Sequence, residues 1–202
     1  MNIRLGDLEK LRTNPNAYYE TSDIRMKRSK FMRWQDTIGY YHKGKDFDYL
    51  EQYITMSFGK MADNAANRRD LKKFIGYLHD YDEDYRKLKS EKLEYKKNMA
   101  FALPNDVELK SQVPRIDLNI DEDGYSAYYF MRERGDWENE LRFPILQNCI
   151  ADYFGCDTQV VKVGVYILEE SKHFNQTYTQ DELDEAANEL HDIIKEIVKG
   201  KV

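Results

Sequence analysis

The feature that most constrains the fold is an almost continuous apolar run at residues 159–168, QVVKVGVYIL. A run this short cannot span a membrane, and its valines favour an extended backbone. Strands that are buried on both faces of a sheet have this composition, because no face of the strand meets water. The run therefore predicts a central strand in the second half of the chain.

The segments around this run extend the prediction. Residues 107–131 hold two strand-like stretches separated by the turn sequence DEDG, and this pattern predicts a β-hairpin. A helix is expected over residues 144–154 and should end at Gly155. A last helix begins at Thr179, which can form a capping box with Glu182.

The first half of the chain has the period of amphipathic helices. Trp34 lies on one helical stripe with Phe31 and Ile38, so we expect it in the core or at a helix–helix contact. The stripes and their breaks predict four helices, at residues 3–12, 22–41, 46–61 and 65–97.

The predicted order of elements defines an α+β protein with N-terminal helices and a sheet in the C-terminal half. We expect residues 1–98 to form the helical region and residues 99–202 to form the sheet-bearing core. The total length of 202 residues is typical of one compact unit.

Charge is distributed unevenly along the chain. Residues 1–100 carry 21 Lys and Arg against 16 Asp and Glu, a net of +5, and the remaining 10 against 21 give residues 101–202 a net of −11. The acidic balance disfavours broad contact with nucleic acid, yet the basic half contains a candidate nucleic-acid-binding patch. An ordinary solvated helix face is the alternative interpretation of this patch, which consists of Arg25, Lys27, Arg28 and Lys30.

Several classes of protein are disfavoured by what the sequence lacks. No apolar stretch is long enough for a membrane helix, and the N-terminus has no secretory apolar region. Two cysteines, Cys149 and Cys156, make no disulfide framework, so a reducing cytoplasm is expected. There is no Walker loop, GxGxxG, GxSxG, HExxH or CxxC motif.

One resemblance emerges from the C-terminal half. The stretches PRIDLNIDEDGYSAYYF, WENELRFPILQNCIADYFG and VVKVGVYILEE resemble the core of the RecB-type PD-(D/E)XK nuclease superfamily. The opening GDLEKLRTNPNAYYE is similar to the entry helix of the same family. The resemblance implies a restriction-endonuclease-like α-β-β-β-α-β core. It also implies two carboxylates that hold Mg²⁺ and a lysine that orients the attacking water.

The family pattern transfers only in part. Asp117 matches the first metal-binding acid, Gln147 matches the helix glutamine, and Glu91 or Glu94 matches an acid on the helix before the sheet. The next strand reads Tyr-Tyr-Phe at positions 128–130, where the family has Asp or Glu, any residue, and Lys. The resemblance therefore implies a nuclease-like core whose Asp/Glu-x-Lys motif is lost.

Two readings of the remaining charges stay open. Glu140 and Lys162 are the candidate replacements for the missing acid and lysine if the chain is active, with Asp117 as the metal ligand and Mg²⁺ as the cofactor. Otherwise Asp117 is a buried carboxylate that pairs with Arg115 or Arg142, and Lys162 is a charged side chain that points away from one face of the sheet. No cofactor is expected in that case.

Three functions follow, and the first is favoured. The chain is a catalytically degenerate accessory or scaffold subunit of a prokaryotic or phage DNA-processing or defence assembly, which binds a protein partner and in some settings DNA. The second is an active Mg²⁺-dependent nuclease with relocated catalytic residues. The third is a structural adaptor without a nucleic-acid role. None of the three acts in a membrane.

Overall fold

A six-stranded mixed sheet organises the chain, and helices cover both of its faces. The computed structural model describes residues 1–19, 28–104 and 106–200. Its helices and strands are β1 Asn2–Arg4, α1 Leu8–Thr13, α2 Lys30–Tyr41, α3 Phe47–Phe58, α4 Ala65–Lys87, β2 Ser90–Leu103, β3 Val107–Asn119, β4 Gly124–Met131, α5 Arg142–Phe154, β5 Val161–Ile167, β6 Lys172–Gln176 and α6 Gln180–Lys199.

Strand β3 holds the sheet together because it pairs with three other strands. Strand β2 runs antiparallel to β3 along its whole length. The other edge of β3 is shared, with β1 parallel at residues 108–110 and β4 antiparallel at residues 115–119. Strand β5 then pairs in parallel with β4 and antiparallel with β6. The order α4-β2-β3-β4-α5-β5 confirms the expected α+β fold with an α-β-β-β-α-β core and a C-terminal helix.

The local signals in the second half of the chain are confirmed. The predicted hairpin forms from β3 and β4, and β5 is an interior strand between β4 and β6. Gly155 ends α5 with a left-handed φ of 65°, which a side chain would disfavour. Thr179 and Glu182 form the predicted capping box at the start of α6.

The two faces of the sheet pack against different helices. The face that we call the α5 face carries the odd-numbered residues of β5 and packs against α5 and α6. The opposite face, which we call the α4 face, carries Phe130 and Tyr166 and packs against α2, α3 and α4. Alternation along each strand assigns neighbouring side chains to opposite faces.

Trp34 is the centre of the packing on the α4 face. Its side chain is fully buried, as predicted, and its ring stacks on Tyr166 with centroids 5.7 Å apart. The rings of Tyr81 and Phe130 meet it edge-on at 5.7 and 5.6 Å. Offset and edge-to-face contacts of this kind are the favoured geometries of aromatic pairs.

The long fourth helix was predicted to continue to residue 97, and this prediction is wrong. Helix α4 ends at Lys87, and Lys89 turns the chain with a left-handed φ of 49°. Residues 90–103 form strand β2 instead. Their pairing with the whole of β3 outweighs a local sequence rich in Lys and Glu, which has little strand propensity of its own.

The N-terminal helix is shorter than predicted. Residues 2–4 form strand β1, because the free edge of β3 accepts them, and the α-helix begins only at Leu8. The short strand β6 was not predicted. Helix α2 begins at Lys30 with Ser29 as its cap, whereas the predicted start at residue 22 lies outside the described residues. Within the described ranges, no helix has the length and apolar composition needed to cross a membrane.

The packing of Trp34 leads to a stability prediction. We expect Trp34→Ala to lower the free energy of unfolding by about 3–5 kcal/mol, because the truncation would remove four ring contacts at once and leave a cavity. Met32→Ala on the same helix is the matched control, since 42% of Met32 is exposed, and it should change little. Urea unfolding measures both variants, and equal midpoints would contradict the assignment.

Candidate functional site

The candidate metal-binding acid, Asp117, is sealed inside the protein. It lies on the α4 face of β3, and neither its side chain nor that of Arg115 is exposed (0% each). The Arg115 Nε lies 3.0 Å from the Asp117 Oδ2, and Ser90 donates a hydrogen bond to the same oxygen at 3.3 Å. Burial raises the pKa of the Asp117 carboxyl above its ordinary value despite the opposing charge of Arg115.

Tyrosines enclose the guanidinium of Arg115. Its central carbon lies 4.4 Å from the ring centroid of Tyr128 and 4.8 Å from that of Tyr85. Its Nη1 donates a hydrogen bond to the hydroxyl of Tyr81. Aromatic faces stabilise a buried cation through their quadrupoles, so these rings replace part of the hydration that Arg115 loses. We call Tyr81, Tyr85 and Tyr128 the tyrosine cage.

Two histidines border the tyrosine cage, and both are neutral. The His42 Nε2 lies 2.7 Å from the Tyr81 hydroxyl. The His173 Nδ1 lies 2.7 Å from the Asp84 Oδ2, which also accepts a hydrogen bond from the His173 backbone. Burial, and next the nearby charge of Arg115, lower the pKa of His42 to about 2 and that of His173 to about 3.

The strand register sets which side chains stand beside Asp117. Asp117 pairs with Lys92 on β2 and with Ser126 on β4, and Ser126 in turn pairs with Lys162 on β5. Cross-strand partners share a face, so these four side chains form one row on the α4 face. Ser126 is therefore the residue of β4 that lies directly opposite Asp117. Tyr128, the first residue of the segment 128–130 at which the sequence pattern placed the lost motif, lies opposite Arg115.

The proposed replacement residues do not converge on Asp117. Lys162 lies two strands away and forms an ion pair with Glu122 in the β3–β4 turn. Glu140 forms an ion pair with Arg142, whose guanidinium packs over the ring of Phe143 on the α5 face. The structure therefore places Glu140 and Asp117 on opposite sides of the sheet.

Two further candidates from the family pattern also fall elsewhere. Glu91 and Glu94 lie on strand β2 rather than on a helix, which corrects the expectation for the preceding acid. They pair with Leu118 and Ile116, so they belong to the α5 face. Gln147 is fully buried and accepts a hydrogen bond from the backbone N–H of Tyr178 at 2.7 Å, so it joins α5 to the segment before α6.

A magnesium ion does not fit the residues around Asp117. Mg²⁺ needs oxygen ligands and retained waters in an open octahedral shell. The neighbours of Asp117 are instead a guanidinium, Ser90, Ser126 and the lysine Lys92. Across the ranges that the structure describes, no three His, Cys, Asp or Glu side chains form a group that could hold a metal ion.

The candidate nucleic-acid patch is described only in part. Arg25 and Lys27 lie outside the described residues. Arg28 forms an ion pair with Asp36, and Lys30 forms one with Asp70. In the described half of the patch, each cation therefore has a carboxylate partner from the same chain, and Asp36 also pairs with Lys96.

Comparisons with known proteins point to the same fold. No protein-family model matches the chain, and no curated protein matches it. The chain is similar to a crystal structure described as "Putative exonuclease" from Eubacterium rectale, with a TM-score of 0.60, 13% identity, and coverage of 100% of this chain and 82% of that chain. The crystal structure of SSO0001 matches with a TM-score of 0.35 and 12% identity, over 93% of this chain and 85% of that chain. The first likeness supports a nuclease-like fold for this chain and carries no information on its activity.

The buried neutral histidine leads to a pH prediction. The pKa of His173 is lower in the folded than in the unfolded chain, so its contribution to stability is complete above pH 6.5 and falls as the pH drops toward 3. Between pH 7 and pH 5, the titration of His173 should lower the free energy of unfolding by about 2 kcal/mol. His173→Gln should lose less stability over this interval than the wild type. Urea unfolding at pH 7 and pH 5 measures both proteins, and equal losses in the two would contradict the prediction.

Proposed function

We propose that the chain is a nuclease-like protein that does not cut nucleic acid and that acts by binding. The observation that supports this proposal is the complete burial of Asp117 against Arg115. In the resembled family this acid holds a metal ion at a site that the substrate reaches. Here the same acid has the surroundings of a core residue.

Access is the first argument for the proposal. A metal-dependent nuclease must bring a phosphate oxygen and a water to the ion that its carboxylates hold. Arg115 and Asp117 are buried under Tyr81 and Tyr85 of α4. Because no part of the Asp117 side chain is exposed, a phosphodiester could reach it only after the residues that cover it had moved.

Charge is the second argument. The two cations nearest to Asp117 in the sheet are Arg115 on its own strand and Lys92 directly across from it. A divalent ion at Asp117 would meet both positive charges without a second carboxylate to offset them. The ion pair therefore competes with a metal for the same oxygens.

A protein partner is the target that we favour. The resemblance suggests an accessory or scaffold role in a prokaryotic or phage DNA-processing or defence assembly. The net charge of −11 in residues 101–202 disfavours wide contact with phosphates. Contact with DNA, if it occurs, is proposed at Arg25, Lys27, Arg28 and Lys30.

A cleavage assay tests the proposal. Purified chain is incubated with Mg²⁺ or Mn²⁺ and with single-stranded DNA, double-stranded DNA or RNA, beside the variants Asp117→Asn, Glu140→Gln and Lys162→Ala. We expect no cleavage that differs between the wild type and the variants. Cleavage by the wild type that disappears in any of these variants would establish instead an active nuclease with relocated residues.

A binding arm of the same experiment separates DNA contact from protein contact. Retention on a DNA column at low salt is compared for the wild type and for a variant with Glu at positions 25, 27, 28 and 30. Few phosphate contacts make retention weak and steeply dependent on salt. Retention that the variant loses supports DNA contact at this patch. If both proteins are retained equally, or if neither is retained, the patch does not bind DNA and the adaptor role is supported instead.

A further inference from the structure

A cleft lies at the opposite end of the sheet from the sealed Asp117. It has a volume of about 460 Å³ and opens where the parallel strands β4 and β5 end, next to Arg132, Leu168 and Glu169. Its other walls are the first turn of α2 and the N-terminal half of α4. Clefts at the carboxyl ends of parallel strands are common ligand sites, and this volume suits a small organic molecule.

One wall of this cleft is the end of a rigid stack of rings. Phe31 lines the cleft and is half-buried, and its ring stacks on Trp34 at 6.1 Å with planes 8° apart. Trp34 stacks in turn on Tyr166 at 5.7 Å and 14°. Because Trp34 and Tyr166 are fully buried, the position of Phe31 is fixed by the core. A nucleobase that stacked on Phe31 would extend this series by one ring.

Three cations from three different elements surround the same cleft. Lys30 begins α2, Lys73 lies on α4, and Arg132 follows β4. The carboxylates of the cleft are Asp70, which pairs with Lys30, and Glu169, whose Oε1 lies 3.2 Å from the Arg132 Nε. Arg132 also pairs with Glu133 at 3.6 Å, so Lys30 and Arg132 both have carboxylate partners. Among the described residues, Lys73 is the lining cation that has no such partner.

Lys73 therefore keeps a positive charge that no directly paired carboxylate offsets. Its Nζ lies 5.4 Å from the ring centroid of Tyr77, and within the described ranges it forms no ion pair. Three cations, Lys30, Arg69 and Lys73, act together to lower the pKa of Asp70, with the hydrogen bond from Lys30 as the largest cause. A phosphate dianion would be attracted by the same cations.

We propose that this cleft binds a nucleoside monophosphate. The base stacks on Phe31, and the phosphate lies among Lys30, Lys73 and Arg132. The nucleotide is either free or the terminal nucleotide of a strand, since both present the same base and phosphate. The proposal stands apart from the non-cleaving role of the Asp117 region, because the two sites share no residue.

Calorimetric titration of the whole chain tests this proposal. AMP is the probe, and adenosine and inorganic phosphate are the partial probes. We expect AMP to bind about tenfold or more tightly than either partial probe, because only AMP has both a base to stack on Phe31 and a phosphate to contact the cations of the cleft. Lys73→Glu with Arg132→Glu should weaken AMP by about tenfold or more. The matched control, Lys43→Glu with Lys60→Glu, changes two exposed lysines elsewhere and should leave AMP binding unchanged.

Two further arms define the ligand. Phe31→Leu should weaken AMP and leave the weak binding of phosphate unchanged, with circular dichroism to show that each variant is folded. Competition with AMP by a 5′-phosphorylated oligonucleotide, and not by its unphosphorylated form, would identify a strand end as the source. No competition by either would identify the free nucleotide. Absence of AMP binding, equal binding of phosphate and AMP, or AMP binding that survives the Lys73 and Arg132 changes would overturn the proposal.

Discussion

The buried ion pair between Arg115 and Asp117 is the interaction on which the rest of the structure depends. Removing each charge from water costs several kcal/mol, and the pair offsets this cost only while its partners stay in place. Those partners come from separate elements: Ser90 on β2 and the tyrosine cage on α4 and β4. The pair therefore couples the register of the sheet to the docking of α4.

This coupling gives structural surroundings to Asp117, the residue for which the sequence resemblance implied a metal-binding role. A metal-dependent nuclease site must admit the substrate and hold carboxylates around the ion, whereas Asp117 lies among aromatic rings and cations. His42 and His173 stay neutral beside the cage because burial disfavours a charged ring, and the positive charge of Arg115 adds to this effect. The same aromatic core extends through Trp34 to the cleft at the other end of the sheet. The two ends therefore differ: the Asp117 end is closed, and the Phe31 end is open.

Sequence alone predicted the elements whose signals are local. Continuous apolar residues identified β5, and the DEDG turn identified the β3–β4 hairpin. Elements that depend on distant pairing were missed, since β1 and β2 take their conformation from the edges of β3 rather than from their own residues. Arg115 was one of the two partners expected for Asp117 from charge alone. Strand alternation selects it, because residues two apart on β3 share a face, whereas Arg142 packs on the α5 face. The tyrosine cage could not be predicted, because the helical period places Tyr81 and Tyr85 on the apolar stripe of α4 but does not indicate that this stripe packs on Arg115.

The unfolding free energy of Asp117 variants tests the central claim most directly. If Asp117 is the counter-ion of Arg115, Asp117→Asn should lose about 3–5 kcal/mol, because it leaves a buried guanidinium unpaired. Arg115→Met with Asp117→Leu should recover most of that loss, because both charges are gone. Glu122→Gln, which breaks the exposed pair with Lys162, is the control and should cost less than about 1 kcal/mol. An Asp117→Asn protein as stable as the wild type, or more stable, would contradict the account, since that result is typical of a catalytic acid held at the expense of stability.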